Sequence, residues 1–250
     1  MVLAGRFELE RIAGSGGMGD VYRARDRHDG EPVALKLLRS SDVQLVARFQ
    51  REARLLAELR HPAIARHVAH GVSEQGQHYL AMEWLEGEDL AARLARGPLG
   101  VDEALALVHR VAEALSLVHA RGVVHRDLKP ANLFLQGGQL DQVKLLDFGI
   151  ARDAAATGGL TEPGVAIGTP AYMAPEQVRG ELDIDARADV YALGCLLFEC
   201  LTGKAPFWAE HAFAVLVKVL FEDAPRPSAL RAEVPEAIDL LTERLMAKDR

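Results

Sequence analysis

The sequence predicts an α+β chain built as a small β-rich lobe followed by a larger helical one. Three observations carry this. Residues 6 to 38 mix apolar and charged residues as strands do and are punctuated by glycine turns. The apolar period lengthens to three or four residues between positions 43 and 59. After Gly87 the pattern is helical almost throughout. With 250 residues, 49% of them hydrophobic, the chain can bury a core as one large domain or two lobes.

In chain order, Phe7, Leu9 and Ile12 lie among charged residues in a first strand. A glycine cluster leads into Val21 to Arg25, and the Asp29-Gly30 turn into a third strand, Pro32 to Leu38. Short turns between them make an antiparallel meander. Val46, Phe49, Ala53, Leu56 and Leu59 then mark an amphipathic helix, which stops before Pro62. Two apolar runs, Ile64 to Val72 and His78 to Glu83, extend the sheet to five strands. Beyond Gly87, Leu105, Val108, Val111, Leu115 and Val118 stripe a helix over 101 to 120. Val143 to Leu146 leads directly into Asp147. Residues 151 to 174 are rich in Gly, Thr and Ala and read as a long loop, a length that goes with function or disorder. The stretch 189 to 201 is apolar nearly all round, the mark of a buried helix. Two more helices are expected over 209 to 221 and 235 to 247. A cleft between two lobes is a common place for a ligand.

The 29 Lys and Arg against 36 Asp and Glu give a net charge of −7, which gives no support to nucleic-acid binding. Cys195 and Cys200 are the only cysteines; five apart on a helix they do not stack, and they read as buried thiols of a reducing compartment. The N-terminus lacks the apolar core of a signal peptide, and the run 191 to 201 is too short to span a bilayer. The expected location is cytoplasmic, with a membrane anchor beyond residue 250 left open.

The densest chemistry is His125-Arg126-Asp127-Leu128-Lys129-Pro130-Ala131-Asn132, with Asp147-Phe148-Gly149 downstream. Asp127 offers a carboxylate to take the proton of an attacking hydroxyl, and Lys129 a cation for a transferred phosphate. Asn132 and Asp147 offer hard oxygen ligands, suited to Mg²⁺ bound to phosphates. Any one of these residues alone reads equally as a turn or cap. Gly14, Gly16 and Gly19 form G-x-G-x-x-G. Such glycines let backbone amides approach phosphate, yet the same residues fit a plain hairpin turn. Their place between two strands differs from a dinucleotide fingerprint, which opens a helix. Lys36 has only apolar neighbours on its strand, so it needs an anion if it faces the core; Glu52, sixteen positions later on the helix, is the natural partner. H-E-x-x-H and G-x-S-x-G are both missing, so metal-hydrolase and acyl-transfer readings lose their main support.

These motifs, in this order, resemble the eukaryotic-like protein kinase family, and the Gly16-Gly17-Met18-Gly19 form resembles its bacterial serine/threonine branch. The resemblance also covers Val33 to Lys36, Glu52, Ala174-Pro175-Glu176 and Asp189, nearly the whole chain. It implies a bilobal fold, with an N-lobe over 1–82, a hinge over 83–87 and a C-lobe over 88–250. It implies ATP and Mg²⁺ as ligands and Ser/Thr hydroxyls of proteins as acceptors. Adenine would meet backbone groups of Glu83 and Leu85 after a gatekeeper at Met82, packed between Val21, Ala34 and Phe134, with Asp89 at the ribose. Glu52 would pair with Lys36, the lysine that meets the triphosphate. Leu56, His67, His125 and Phe148 fall where the family stacks a regulatory spine; His67 departs from its usual apolar residue. Arg126 before Asp127 accompanies loop phosphorylation in the family, with Thr157 and Thr161 as acceptors, and Thr169 resembles the threonine that steadies Asp127 and Lys129. The family continues to an Arg-Pro and a last helix whose arginine pairs with Glu176, so the chain reads as a piece of a longer protein. A nucleotide-binding scaffold without activity would lack one of Lys36, Asp127, Asn132 or Asp147. A small-molecule phosphotransferase would lack the Ala174-Pro175-Glu176 segment.

Overall fold

The computed structural model describes residues 1–16, 19–148 and 170–249. The chain divides into two compact units, Met1–Glu86 and Gly87–Arg250.

Unit 1 is an antiparallel sheet with one helix. Its strands are β1 (Val2–Leu3), β2 (Phe7–Ser15), β3 (Gly19–Asp26), β4 (Pro32–Leu38), β5 (His67–Val72) and β6 (His78–Glu83). They lie in the order β1-β2-β3-β4-β6-β5, so the five expected strands are present and a two-residue edge strand joins them. Strand alternation sends Leu3, Phe7, Ala24, Val33, Leu35, Leu37 and Ala81 into one core. The Arg6 guanidinium grips the buried Asp26 carboxylate at 2.6 Å, pinning the start of β2 to the end of β3 and holding Asp26 below the usual carboxylate range. Helix α1 (Val43–Glu58) starts at Asp42, whose carboxylate accepts from the N–H groups of Gln44 and Leu45, both at 2.9 Å.

Unit 2 begins with a small sheet of β7 (Gly87–Asp89), β8 (Leu133–Gln136) and β9 (Val143–Leu145). Its helices are α2 (Leu90–Leu94), α3 (Val101–His119), α4 (Pro175–Val178), α5 (Arg187–Thr202), α6 (Ala212–Phe221), α7 (Pro227–Leu230) and α8 (Glu236–Leu245). Glu103 reaches back to the Gly100 N–H at 2.8 Å and starts α3. The buried stripe of α3 is set by Ala104 and Leu107 in addition to the expected Val108, Val111, Leu115 and Val118; Leu105 is only half-buried. The short α2, α4 and α7 have too few residues to show a helical period. Helix α5 is buried along nearly its whole length, Cys195 and Cys200 included; both are free thiols that burial pushes up. Among the described residues no helix is long and apolar enough to cross a membrane.

Candidate functional site

In unit 2 the segment between α3 and β8 is held from below by one carboxylate. Asp189, in the first turn of α5, is 1% exposed. It accepts from the His125 N–H at 2.7 Å and the Arg126 N–H at 2.8 Å, and His119 Nε2 lies 2.7 Å from it. Arg126 sits at φ +65°, a left-handed conformation that costs a non-glycine residue about 1–2 kcal/mol. The two backbone bonds to Asp189 hold it there. The His125 ring accepts from the Asp127 N–H through Nδ1 at 3.3 Å and donates from Nε2 to the Leu146 carbonyl at 3.2 Å. That pattern defines the neutral tautomer with the proton on Nε2. Its ring packs on Phe148, with centroids 5.2 Å apart.

The strained turn delivers Asp127. Its Oδ2 accepts from Lys129 Nζ at 2.9 Å and from Asn132 Nδ2 at 3.1 Å, and Asn132 Nδ2 also donates to the Asp127 carbonyl at 2.7 Å. With its amide nitrogen committed to Asp127, Asn132 has its side-chain oxygen as the group to offer a cation. The Asn132 carbonyl accepts from the Leu146 N–H at 2.9 Å, which sets Asp147 beside Asn132 in the chain path. Asp147 is itself at φ +44°. A neutral oxygen and a carboxylate fit Mg²⁺, which keeps water and phosphate oxygens as its other ligands. Among the described residues no group of three or more His, Cys, Asp or Glu forms a dedicated metal cage.

Two links lie outside the predicted set, and the first of them reaches this segment. Gln177 on α4 accepts from the Ala174 N–H at 2.9 Å and donates to the Arg126 carbonyl at 3.0 Å. Tyr172 donates its hydroxyl to Glu199 on α5, a carboxyl that burial raises. Neither link has a sequence signal, because each joins residues 27 or more positions apart. Gly149, Thr157, Thr161 and Thr169 lie outside the described residues.

Asp89 and Phe134 are register partners across β7 and β8. The Asp89 carboxylate also caps α2, accepting from the Ala92 N–H at 2.8 Å.

In unit 1, Lys36 Nζ and Glu52 Oε1 are 3.4 Å apart, with the residues 8% and 2% exposed. Glu52 shares the buried face of α1 with Phe49, Ala53 and Leu56, a charge among apolar residues that needs its partner. Val21 and Leu80 are the register partners of Lys36, and Met82 that of Ala34, so Val21, Ala34 and Lys36 share one sheet face. Gly19 must be glycine for a packing reason, since an added Cβ would lie 1.9 Å from the Leu37 carbonyl oxygen. Gly14 has open space where a Cβ would stand. Gly16 and Gly19 exchange N–H to carbonyl bonds at 2.9 and 3.3 Å and close the hairpin. The Glu83 N–H donates to the Arg66 carbonyl at 2.9 Å, so a bond from Glu83 to a base would come from its carbonyl. Leu85 follows, half-buried, past the end of β6.

His67, on β5, has its Nε2 2.8 Å from His70 Nδ1. Burial, then the neighbouring His70, pushes its pKa down to about 4. An unfolded histidine takes its proton near pH 6.5. Between that pH and about 4 the unfolded chain therefore binds a proton that the folded one refuses, and stability falls as pH falls through this window. His67→Leu is expected to lose about 1–2 kcal/mol less than the parent chain between pH 7 and pH 4, the figure being discounted for partial exposure. Thermal midpoints at the two pH values check this; equal losses refute it.

An Asp anchored by a Lys and an Asn on a strained turn in one unit, with a buried Lys–Glu pair joining sheet and helix in the other, defines a phosphoryl-transfer protein. The family described as "Protein kinase domain" matches residues 7–249, and the chain belongs to it. Members of this family use ATP and a divalent metal. The chain is 43% identical over 251 residues to serine/threonine-protein kinase PknD of Mycobacterium tuberculosis, covering 98% of this chain and 37% of that protein. It is 40% identical over 258 residues to serine/threonine-protein kinase pkn3 of Myxococcus xanthus, covering 99% and 47%. It is 39% identical over 255 residues to serine/threonine-protein kinase PknB of Mycolicibacterium smegmatis, covering 99% and 40%. These relatives put it in the bacterial serine/threonine branch. The chain thus spans less than half the length of these curated relatives.

Proposed function

We propose that this chain is the catalytic domain of an ATP-dependent protein serine/threonine kinase acting on the cytoplasmic side, with an N-lobe over 1–82, a hinge over 83–87 and a C-lobe over 88–250. The observation that carries the reading is the Asp127 carboxylate, held by Lys129 and Asn132 on a turn that Asp189 anchors. An acceptor hydroxyl attacks the γ-phosphorus, the bond to the β,γ-bridging oxygen breaks, and ADP leaves. Asp127 takes the hydroxyl proton and fixes the direction of attack. Lys129 balances charge on the transferred phosphoryl group, and its place two residues after Asp127 supports a Ser/Thr acceptor. Asn132 and Asp147 would hold Mg²⁺, which would supply neutralisation of the phosphate charge. Lys36, kept in place by Glu52, meets the α- and β-phosphates. Gly14, Gly16 and Gly19 let backbone approach the phosphates, Val21 and Ala34 offer the base an apolar face of the unit 1 sheet, and Phe134 is the apolar residue that unit 2 offers it. The Glu83 carbonyl and the Leu85 N–H read its edge, and Asp89 reaches the ribose at the cost of its capping bond. Phosphorylation at Thr157 or Thr161, paired with Arg126, raises activity.

Incubation with radiolabelled ATP and a panel of candidate proteins from the same cell tests the reading. The parent chain is expected to label a protein, and Lys36→Met to label it about tenfold to hundredfold more slowly, the loss of one charge-assisted contact. A parent chain that transfers no phosphate, or a Lys36→Met variant as fast as the parent, overturns it.

A further inference from the structure

Unit 1 holds one more arrangement, which the phosphoryl transfer leaves unused. Arg11 on β2 and Arg23 on β3 are register partners, so two cations stand opposite each other on one face of the sheet. Such a pair is unfavourable alone. Glu10 offsets part of it, pairing with Arg23 and lying 3.3 Å from Arg25. The rest falls to Trp84. Its ring lies with the Arg11 guanidinium carbon 5.5 Å and the Arg23 guanidinium carbon 5.6 Å from its centroid. Both are within the reach of a cation–π contact.

The position of this cluster gives it a consequence. Trp84 stands between Glu83 and Leu85, in a stretch that belongs to no helix or strand. Arg23 is the register partner of Ala34, and β2 and β3 together form the hairpin that carries Gly14, Gly16 and Gly19. One indole therefore links the stretch assigned to the adenine edge with the hairpin assigned to the phosphates.

We infer that Trp84, Arg11 and Arg23 form a clamp that positions the nucleotide-reading stretch against the glycine hairpin, with Trp84 as a positioning residue for ATP; this rests on the kinase reading above. The clamp touches no reacting atom, so it acts on nucleotide affinity and leaves the chemical step alone.

Two measurements on the whole chain test it. The first is steady-state kinetics with MgATP. Trp84→Ala and the double variant Arg11→Ala/Arg23→Ala are each expected to raise KM for ATP about three- to tenfold with kcat within about twofold. Trp84→Phe, which keeps an aromatic face, is expected to restore KM to within about twofold. Arg11→Ala alone, at an exposed position, gives a smaller rise and keeps the test open if a larger change fails to fold. The second is amide hydrogen exchange without nucleotide. The β2–β3 hairpin is expected to exchange faster in Trp84→Ala, with α3 and α5 unchanged. Unaltered KM values, or a rise in Trp84→Ala that the double arginine variant does not share, overturn the clamp. So does an unaltered hairpin exchange rate, whether or not the chain binds ATP. A parent chain that binds no ATP overturns the kinase reading and the nucleotide role together, while the exchange rates still decide whether the clamp exists.

Discussion

Asp127→Asn is expected to lower kcat about 10²- to 10⁴-fold, the range for removing a general base, with KM for ATP within about twofold. The substitution keeps the shape of the side chain. Its amide oxygen can still accept from Lys129 Nζ and Asn132 Nδ2, which approach at 2.9 and 3.1 Å. The opposite orientation would set an NH₂ group against two donors, so the orientation is settled by the neighbours. What is lost is the charge and the ability to hold a proton. Steady-state phosphorylation of a protein substrate, read beside a thermal melt to show that the fold is intact, checks this. Transfer retained within tenfold would remove Asp127 from its assigned role. The same variant separates a kinase from a nucleotide-binding scaffold, because a scaffold loses nothing measurable.

The second large effect is at Asp189, which touches no substrate in the proposed reaction. Its carboxylate accepts two backbone N–H bonds and faces His119 at 2.7 Å, almost fully buried. In Asp189→Asn one oxygen becomes an NH₂ facing a backbone donor, which leaves a buried N–H unsatisfied. Bonds to charged groups are worth about 1.5–3 kcal/mol each, so the expected destabilisation is about 3 kcal/mol or more. For a chain of this size that lowers the melting midpoint by about 6–12 °C. Arg126 at φ +65° loses its restraint at the same time, so Asp127 is displaced and phosphate transfer falls with the melt. His119→Gln loses one bond at a half-buried edge and is expected to move the midpoint by about a third as much. A midpoint for Asp189→Asn within about 2 °C of the parent would show that the turn stands without the carboxylate.

Much of the architecture was legible in the sequence, and the reason differs by element. The strands of unit 1 alternate and end at Asp-Gly and glycine turns, so their chemistry is local. Helix α1 and the long α3 have enough turns for a period to emerge, and α5 is legible because its run is apolar nearly all round. The Lys36–Glu52 pair was legible because a charge on an apolar face has few ways to be satisfied, and the structure sets the two at 3.4 Å. The short edge strand β1 and the one-turn helices α2, α4 and α7 were not legible, because two to five residues carry no period. Gly19 shows a motif residue with a second cause. The glycine spacing points to phosphate, whereas the Leu37 carbonyl is what excludes a side chain there.

The identities of the groups that carry chemistry, their order along the chain and the class of reaction they serve are properties of the sequence by itself. They depend on residue type and short spacing, which a linear text records. Only the tertiary structure decided how Asp127 is presented. Asp189 meets its backbone partners across 63 and 64 positions, Gln177 reaches Arg126 across 51, and Trp84 finds two arginines on strands far before it in the chain. Such contacts follow from where the chain returns in space, and a carboxylate or an indole has the same spelling whether it turns to water or braces a strained loop.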